Sequence, residues 1–241
     1  MNVAPGIERV DAPLGERYIA AYILRGADTC LVVDTGLDCT ARSTLIPAFQ
    51  SAQVDLERVR YVLSTHSDFD HTGGNAAVRE QAPNAMFLAG HADRDQVEDV
   101  EALLTQRYGE FRSHGFDESE ESKRHILDST RLTWVDMTVH GGEVLRLEDD
   151  WHVEVVHTPG HTWGSVSIFD PRSEALIVGD AVLGDSVRKL DGSPAFPPTY
   201  RYLDSYLATI QQLRAMRPAE YLRCTVHSCS SQHAVNSYRT I

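Results

Sequence analysis

Residues 61–75 decide more about this chain than any other segment. Their apolar run, Tyr61-Val62-Leu63, stops at Ser64-Thr65. His66, Asp68, Asp70 and His71 follow at once, and then Gly73-Gly74. A buried strand that ends in imidazoles and carboxylates and turns through glycines into a helix presents metal ligands at the strand's C-terminal end. A solvated acidic loop would account for Asp68 and Asp70, but not for the two histidines that flank them.

The rest of the chain supports a sizeable core. Its 241 residues suit one domain, residues 1–241, and its 42% apolar and 24% charged content is ordinary for a globular protein. A net charge of −13 argues against nucleic acid or an anionic membrane as the main partner and says little about the site; the partner expected is a small-molecule substrate. No run approaches the ~20 apolar residues that span a bilayer, and the N-terminus lacks the pattern of a signal peptide. A cytoplasmic location is the simplest expectation. Cys30, Cys39, Cys224 and Cys229 form no CxxC pair and read as small buried or half-buried residues. The oligomeric state is left open, a homodimer among the options.

Residues 18–24 and 30–34 read as strands around the turn at Arg25-Gly26-Ala27-Asp28, and 40–53 as an amphipathic helix. Strand 58–63 delivers the ligand cluster, helix 74–81 follows it, and 85–89 returns as a strand. The acidic stretch at about 92–131 reads as a helical insertion divided at Gly115-Phe116. It is either a pair of solvated helices or a cap whose Phe111, His114 and Phe116 shape a pocket. Strands are expected at 133–139, 143–147, 151–156, 165–169 and 174–178, a helix at 203–216 and a last strand at 221–226. Ligands at strand ends in such an α/β chain suggest two sheets packed together with helices outside.

The segment His66-Ser67-Asp68-Phe69-Asp70-His71-Thr72-Gly73-Gly74 resembles the metal-binding signature of the metallo-β-lactamase superfamily, His-x-His-x-Asp-His with a Gly-Gly tail, except that Asp68 stands where that family has its second histidine. Two further segments share the likeness: His157-Thr158-Pro159-Gly160-His161, and Ile177-Val178-Gly179-Asp180. The resemblance covers roughly residues 18–227. It implies the four-layer αβ/βα sandwich of that family, with two mixed sheets, and a binuclear site. Site one would be His66, Asp68 and His161. Site two would be Asp70, His71 and His227, with Asp180 bridging. His157 is left out, and His233 is the fallback for His227, whose surroundings lack the usual glycines. Asp34 matches an early aspartate that supports such sites without binding metal, and Thr65 and Thr162 are placed to orient neighbours.

The resemblance further implies a metal-dependent hydrolase. Two divalent cations about 3.5–4 Å apart acidify a shared water, and Asp70 holds the nucleophile or shuttles its proton. Zinc is the expected metal. The carboxylate of Asp68 adds hard-oxygen character that admits iron or manganese, and being short it also admits a single filled site. The substrate class is a small ester, lactone, thioester or amide. A glutathione thioesterase is disfavoured, because only residues 228–241 follow His227 where such enzymes carry a helical region. A β-lactamase is disfavoured by the missing signal peptide. Arg188-Lys189 is either an anion-binding pair or a solvated turn. Two alternatives stand beside the hydrolase: a non-haem iron redox protein, as in the flavodiiron members with a glutamate at the Asp68 position, and a catalytically silent binding protein on the same scaffold.

Overall fold

A computed structural model describes residues 1–223. His227, His233, Cys224 and Cys229 lie outside the described residues. Strand alternation sets the architecture. In the run Arg17–Arg25, Tyr22 and Leu24 face one way into one apolar cluster, while Ala21 and Ile23 face the other way into a second. Leu31 and Val33 divide from Cys30 and Val32 in the same manner. A strand whose alternate residues are all apolar must be covered on both faces.

The first sheet has seven strands in chain order: β1 (Asn2–Ala4), β2 (Ile7–Leu14), β3 (Arg17–Arg25), β4 (Cys30–Val33), β5 (Val59–Ser64), β6 (Met86–Gly90) and β7 (Met137–Val139). The pairs up to β3–β4 are antiparallel, and β4 to β7 are parallel. The second sheet draws on β8 (Val144–Glu148), β9 (Trp151–His157), β10 (Val166–Asp170) and β11 (Ala175–Gly179). A small ribbon of β12 (Val187–Arg188) and β13 (Pro194–Phe196) precedes its last strand, β14 (Glu220–Arg223). The order in this sheet is β14-β11-β10-β9-β8, with β14 parallel to β11.

The two sheets face each other across one core. Leu24, Leu31, Leu63 and Leu88 of the first meet Trp151, Val153, Ile168 and Ile177 of the second. On the outer face of the first sheet, Val32, Val62 and Phe87 pack on Leu45 and Phe49 from the helical stretch 38–51 and on Val78 from the helix Asn75–Gln81. Outside the second, Leu176 and Val178 pack on Leu213 of the helix Leu203–Met216. The result is the four-layer αβ/βα sandwich.

Several local expectations shift. Strands β1 and β2 precede the first expected strand at 18–24. The expected strand at 133–139 shrinks to β7, since only 137–139 pair with β6. The stretch at about 92–131 is broken more often than Gly115 alone predicts. Asp99 takes an extended backbone and its carboxylate accepts from the Glu101 and Ala102 amides, restarting the helix. Cys39 is exposed, unlike Cys30, because it lies on the solvent side of a helical turn rather than in a strand. Phe111, His114 and Phe116 are exposed as well, so the insertion reaches the site through other residues.

Candidate metal centre

The parallel strands β4 and β5 end side by side, and the expected ligands gather at their C-terminal ends. Strand β4 runs into Asp34 and β5 into Thr65-His66. The chain then crosses Asp68 into the helical turn Phe69–Thr72, which carries Asp70 and His71. From the second sheet, β11 ends at Gly179 and delivers Asp180, and the loop between β9 and β10 delivers His161. Close packing explains the glycines. A Cβ on Gly74 would lie 2.5 Å from the Ala41 Cβ and 2.6 Å from the Thr35 carbonyl oxygen. Gly179 has φ +51°, and a Cβ there would lie 2.6 Å from the Thr65 Oγ1.

Two groups of donor atoms form, each with its atoms within 4.8 Å of one another: His66, His71 and Asp180, and His66, Asp68 and His161. The His66 ring centroid lies 4.0 Å from that of His71 and 4.7 Å from that of His161. Asp70 is half-buried and belongs to neither group, but its charge acts on His71 and Asp180. His157 is exposed and faces the Trp163 carbonyl oxygen at 2.9 Å, away from both groups.

Asp34 is the support behind them. Its Oδ2 faces His71 Nδ1 at 2.8 Å and accepts from Thr65 Oγ1 at 2.8 Å, while Oδ1 accepts from the Thr65 amide at 2.7 Å. Because Thr65 Oγ1 gives its proton to Asp34, it accepts from His66 Nδ1 at 3.0 Å. Both imidazoles are therefore turned so that Nε2 points inward. His66 Nε2, His71 Nε2 and Asp180 Oδ1 are buried and have no hydrogen-bond partner, which is costly unless something else fills the space between them.

The electrostatics ask for a cation. Burial, with the neighbouring His71, pushes the His66 imidazole down to about 3, so it is neutral at pH 7. Burial works against the His71 imidazolium too, but the Asp34, Asp180 and Asp70 carboxylates outweigh it and raise the group well above its ordinary value. Burial raises the Asp180 carboxyl despite the nearby histidines. A metal ion against these atoms would take the place of the proton that His71 otherwise holds. The donor set of two imidazole nitrogens and a carboxylate suits zinc, iron or manganese, so the residues present fit a divalent metal.

Arg107, absent from the sequence reading, enters this centre from the helical turn Leu103–Tyr108. Its side chain is 4% exposed and forks onto the Asp68 carboxylate, and it also reaches His161. Its one signal in the sequence is its place four residues after the buried Leu103, on the inward stripe of the insertion. Asp93 is the other residue missed. It is buried and accepts from the Ser67 amide, Thr162 Oγ1 and the Gly164 amide, so Thr162 serves the loop of His161 through Asp93.

The family model described as the metallo-beta-lactamase superfamily matches residues 14–224. The chain belongs to the metallo-β-lactamase superfamily. Acyl-coenzyme A thioesterase MBLAC2 of Homo sapiens is 25% identical to it over 198 residues, 80% of this chain and 66% of that protein. Hydroxyacylglutathione hydrolase of Rhodospirillum rubrum is 25% identical over 199 residues, 76% of this chain and 60% of that protein. The chain thus spans less than two thirds of the length of either relative. A metallo-β-lactamase family protein from Thermus thermophilus superposes with a TM-score of 0.73 at 19% identity, over 98% of this chain and 79% of that one. The superfamily is one of metallo-hydrolases, and both relatives carry the names of hydrolytic enzymes. No helix among the described residues is long and apolar enough to cross a membrane.

Proposed function

We propose that this metallo-β-lactamase-fold chain is a metal-dependent hydrolase of small acyl substrates, with a thioester preferred over an ester, lactone or amide. The observation that carries the reading is the convergence of His66 Nε2, His71 Nε2 and Asp180 Oδ1, three buried donor atoms without hydrogen-bond partners. A divalent cation held there supplies Lewis-acid polarisation of the acyl carbonyl and a water acidic enough to react near neutral pH. Asp34 and Thr65 keep the two imidazoles in the orientation that leaves Nε2 inward. Asp70, whose charge reaches His71 and Asp180, is the proton acceptor in this reading. Trp163, exposed and stacked on Tyr202 at 4.0 Å between ring centroids, offers an apolar wall on the loop of His161 for the acyl chain.

The thioester preference rests on the two relatives, whose names describe an acyl group carried on coenzyme A or on glutathione, and the second of them runs against the expectation that disfavours a glutathione thioesterase. The test is a hydrolysis panel with zinc- or manganese-loaded protein, using acyl-coenzyme A, S-acylglutathione, aryl ester and lactone substrates. A thioester should be cleaved fastest, and Asp70→Asn should lower kcat/KM by roughly 10²-fold or more. Failure of the metal-loaded chain to cleave any of the acyl classes would sink the reading.

A further inference from the structure

The two donor groups are dressed differently. In the group of His66, His71 and Asp180, all three facing atoms lack a hydrogen-bond partner, the nearest approaches being His71 Nε2 to Asp180 Oδ1 and His66 Nε2 to Asp68 Oδ2, each 3.7 Å. In the group of His66, Asp68 and His161, two of the three side chains already hold a cation, because Arg107 donates through Nε to Asp68 Oδ1 and through Nη2 to Asp68 Oδ2 at 2.9 Å. The second Nη2 hydrogen points at His161 Nε2, 3.0 Å away, and Nη1 donates to the His161 carbonyl oxygen at 3.1 Å.

The His161 tautomer completes the picture. Its Nδ1 faces the Thr199 carbonyl oxygen at 2.7 Å, and a carbonyl can only accept, so Nδ1 carries the hydrogen. Nε2, the nitrogen a metal would need, is already taken up between Asp68 Oδ2 at 2.9 Å and Arg107 Nη2 at 3.0 Å. The planar fork of arginine matches a carboxylate edge-on, whereas a lysine ammonium would meet it as a point charge. Arg107 is buried here and held from behind by its own backbone: the carbonyl oxygen of Arg107 accepts from Arg201, whose guanidinium also pairs with Glu110 at 3.1 Å. An ion bound to Asp68 and His161 would have to share their atoms with a fixed, permanently charged guanidinium.

We propose that Arg107 occupies the first metal position of this fold as a built-in cation, and that the chain holds a single metal ion, at His66, His71 and Asp180. This rests on the metal-binding reading above. Asp68, the residue that departs from the family's histidine, is then a partner for arginine and not a ligand. Its charge suits that role, since a neutral imidazole offers a guanidinium one acceptor nitrogen and neither a counter-charge nor a two-oxygen edge.

The experiment strips the full chain with chelator, titrates it with zinc and reads bound metal by elemental mass spectrometry after gel filtration. A parallel cobalt titration is followed by visible absorption. The unaltered chain should saturate at one ion per chain. D68N and H161Q should keep that ion, D180N should lose it, and R107M, with Asp68 and His161 released, should take up a second. Two ions on the unaltered chain, or loss of the ion in D68N, would overturn the proposal while leaving the metal-binding reading intact. No uptake at all by the unaltered chain would overturn both. Thermal melts show whether each variant folds, and D68N with H161Q decides the matter if R107M does not.

Discussion

Asp34 stands behind the metal-binding groups rather than among them, yet both imidazoles lean on it. The residue takes φ +61°, a left-handed conformation that costs a residue with a Cβ of order 1 kcal/mol. Its three hydrogen bonds to Thr65 and His71 hold it there. Asparagine tolerates the same backbone, so Asp34→Asn should fold. It should nevertheless turn an N–H toward groups that themselves donate, loosening the His71 ring and indirectly the His66 ring. Metal affinity should fall about 10–100-fold, read by calorimetric titration; an unchanged affinity would show that Asp34 does not orient the imidazoles. Gly179 is constrained from the opposite side of the cleft. Gly179→Ala should destabilise the chain by about 1–3 kcal/mol in chemical denaturation, combining left-handed strain with the contact on Thr65.

At the scale of elements, the anchoring of β7 and the preceding loop against β6 depends on Asp136. Its carboxylate accepts from the Phe87 amide at 2.8 Å, from Arg79 at 2.8 Å and from the Trp134 indole at 3.0 Å, so one side chain ties a helix, a strand and a loop. Arg79 lies between the Phe87 and Trp134 rings, at 4.0 and 4.1 Å from their centroids. Burial raises the Asp136 carboxyl, but the hydrogen bonds from Phe87 and Arg79 outweigh it and hold the group below the ordinary aspartate value. The stability this lends is fully present above the unfolded aspartate pKa, near about 3.9, and is lost as pH falls through the lower folded value. Asp136→Asn should therefore cost about 1 kcal/mol at neutral pH, and the difference from the unaltered chain should shrink in acid; a difference that stays constant with pH would refute the electrostatic account. What could be read from the sequence follows the same division. Strands β3, β4, β5 and β11 were legible because both of their faces are apolar, and the ligand cluster because its polar residues follow directly on such a strand. Strand β2 was not, since Glu8, Arg9, Asp11 and Pro13 interrupt its pattern; Arg9 is nonetheless buried, paired with Asp11 at 2.6 Å. Arg107 was hidden for a related reason. In an acidic surface segment an arginine reads as a solvated charge, and only the carboxylate of Asp68, distant in sequence, gives it an interior place.

For the molecule as a whole, the centre lies on the seam between the two sheets. His66 and His71 belong to the end of β5 and the turn after it, and Asp180 to the end of β11 in the other sheet. The apolar core joins the sheets along their length, through Leu63 and Ile177 among others, but at this end the interior gives way to polar atoms. Without a cation, Asp180 and the two imidazoles are left with buried atoms that make no hydrogen bond across the seam. An ion bound to both sheets removes that penalty and adds its binding energy to the folded state alone. At a concentration a thousand times its Kd it stabilises by about 4 kcal/mol, which for a chain of this size raises Tm by about 10 °C. Chelator should lower the melting temperature of the loaded chain by that order, and readdition of zinc should restore it. D180N and His71→Ala should melt at nearly the same temperature with and without zinc, because each removes a donor from the bridge. Asp68→Asn should keep the zinc response, since its carboxylate holds Arg107. A chelator-insensitive melt in a chain shown to carry metal would mean that the ion is held by one sheet alone, and that the seam is closed by the apolar core without it.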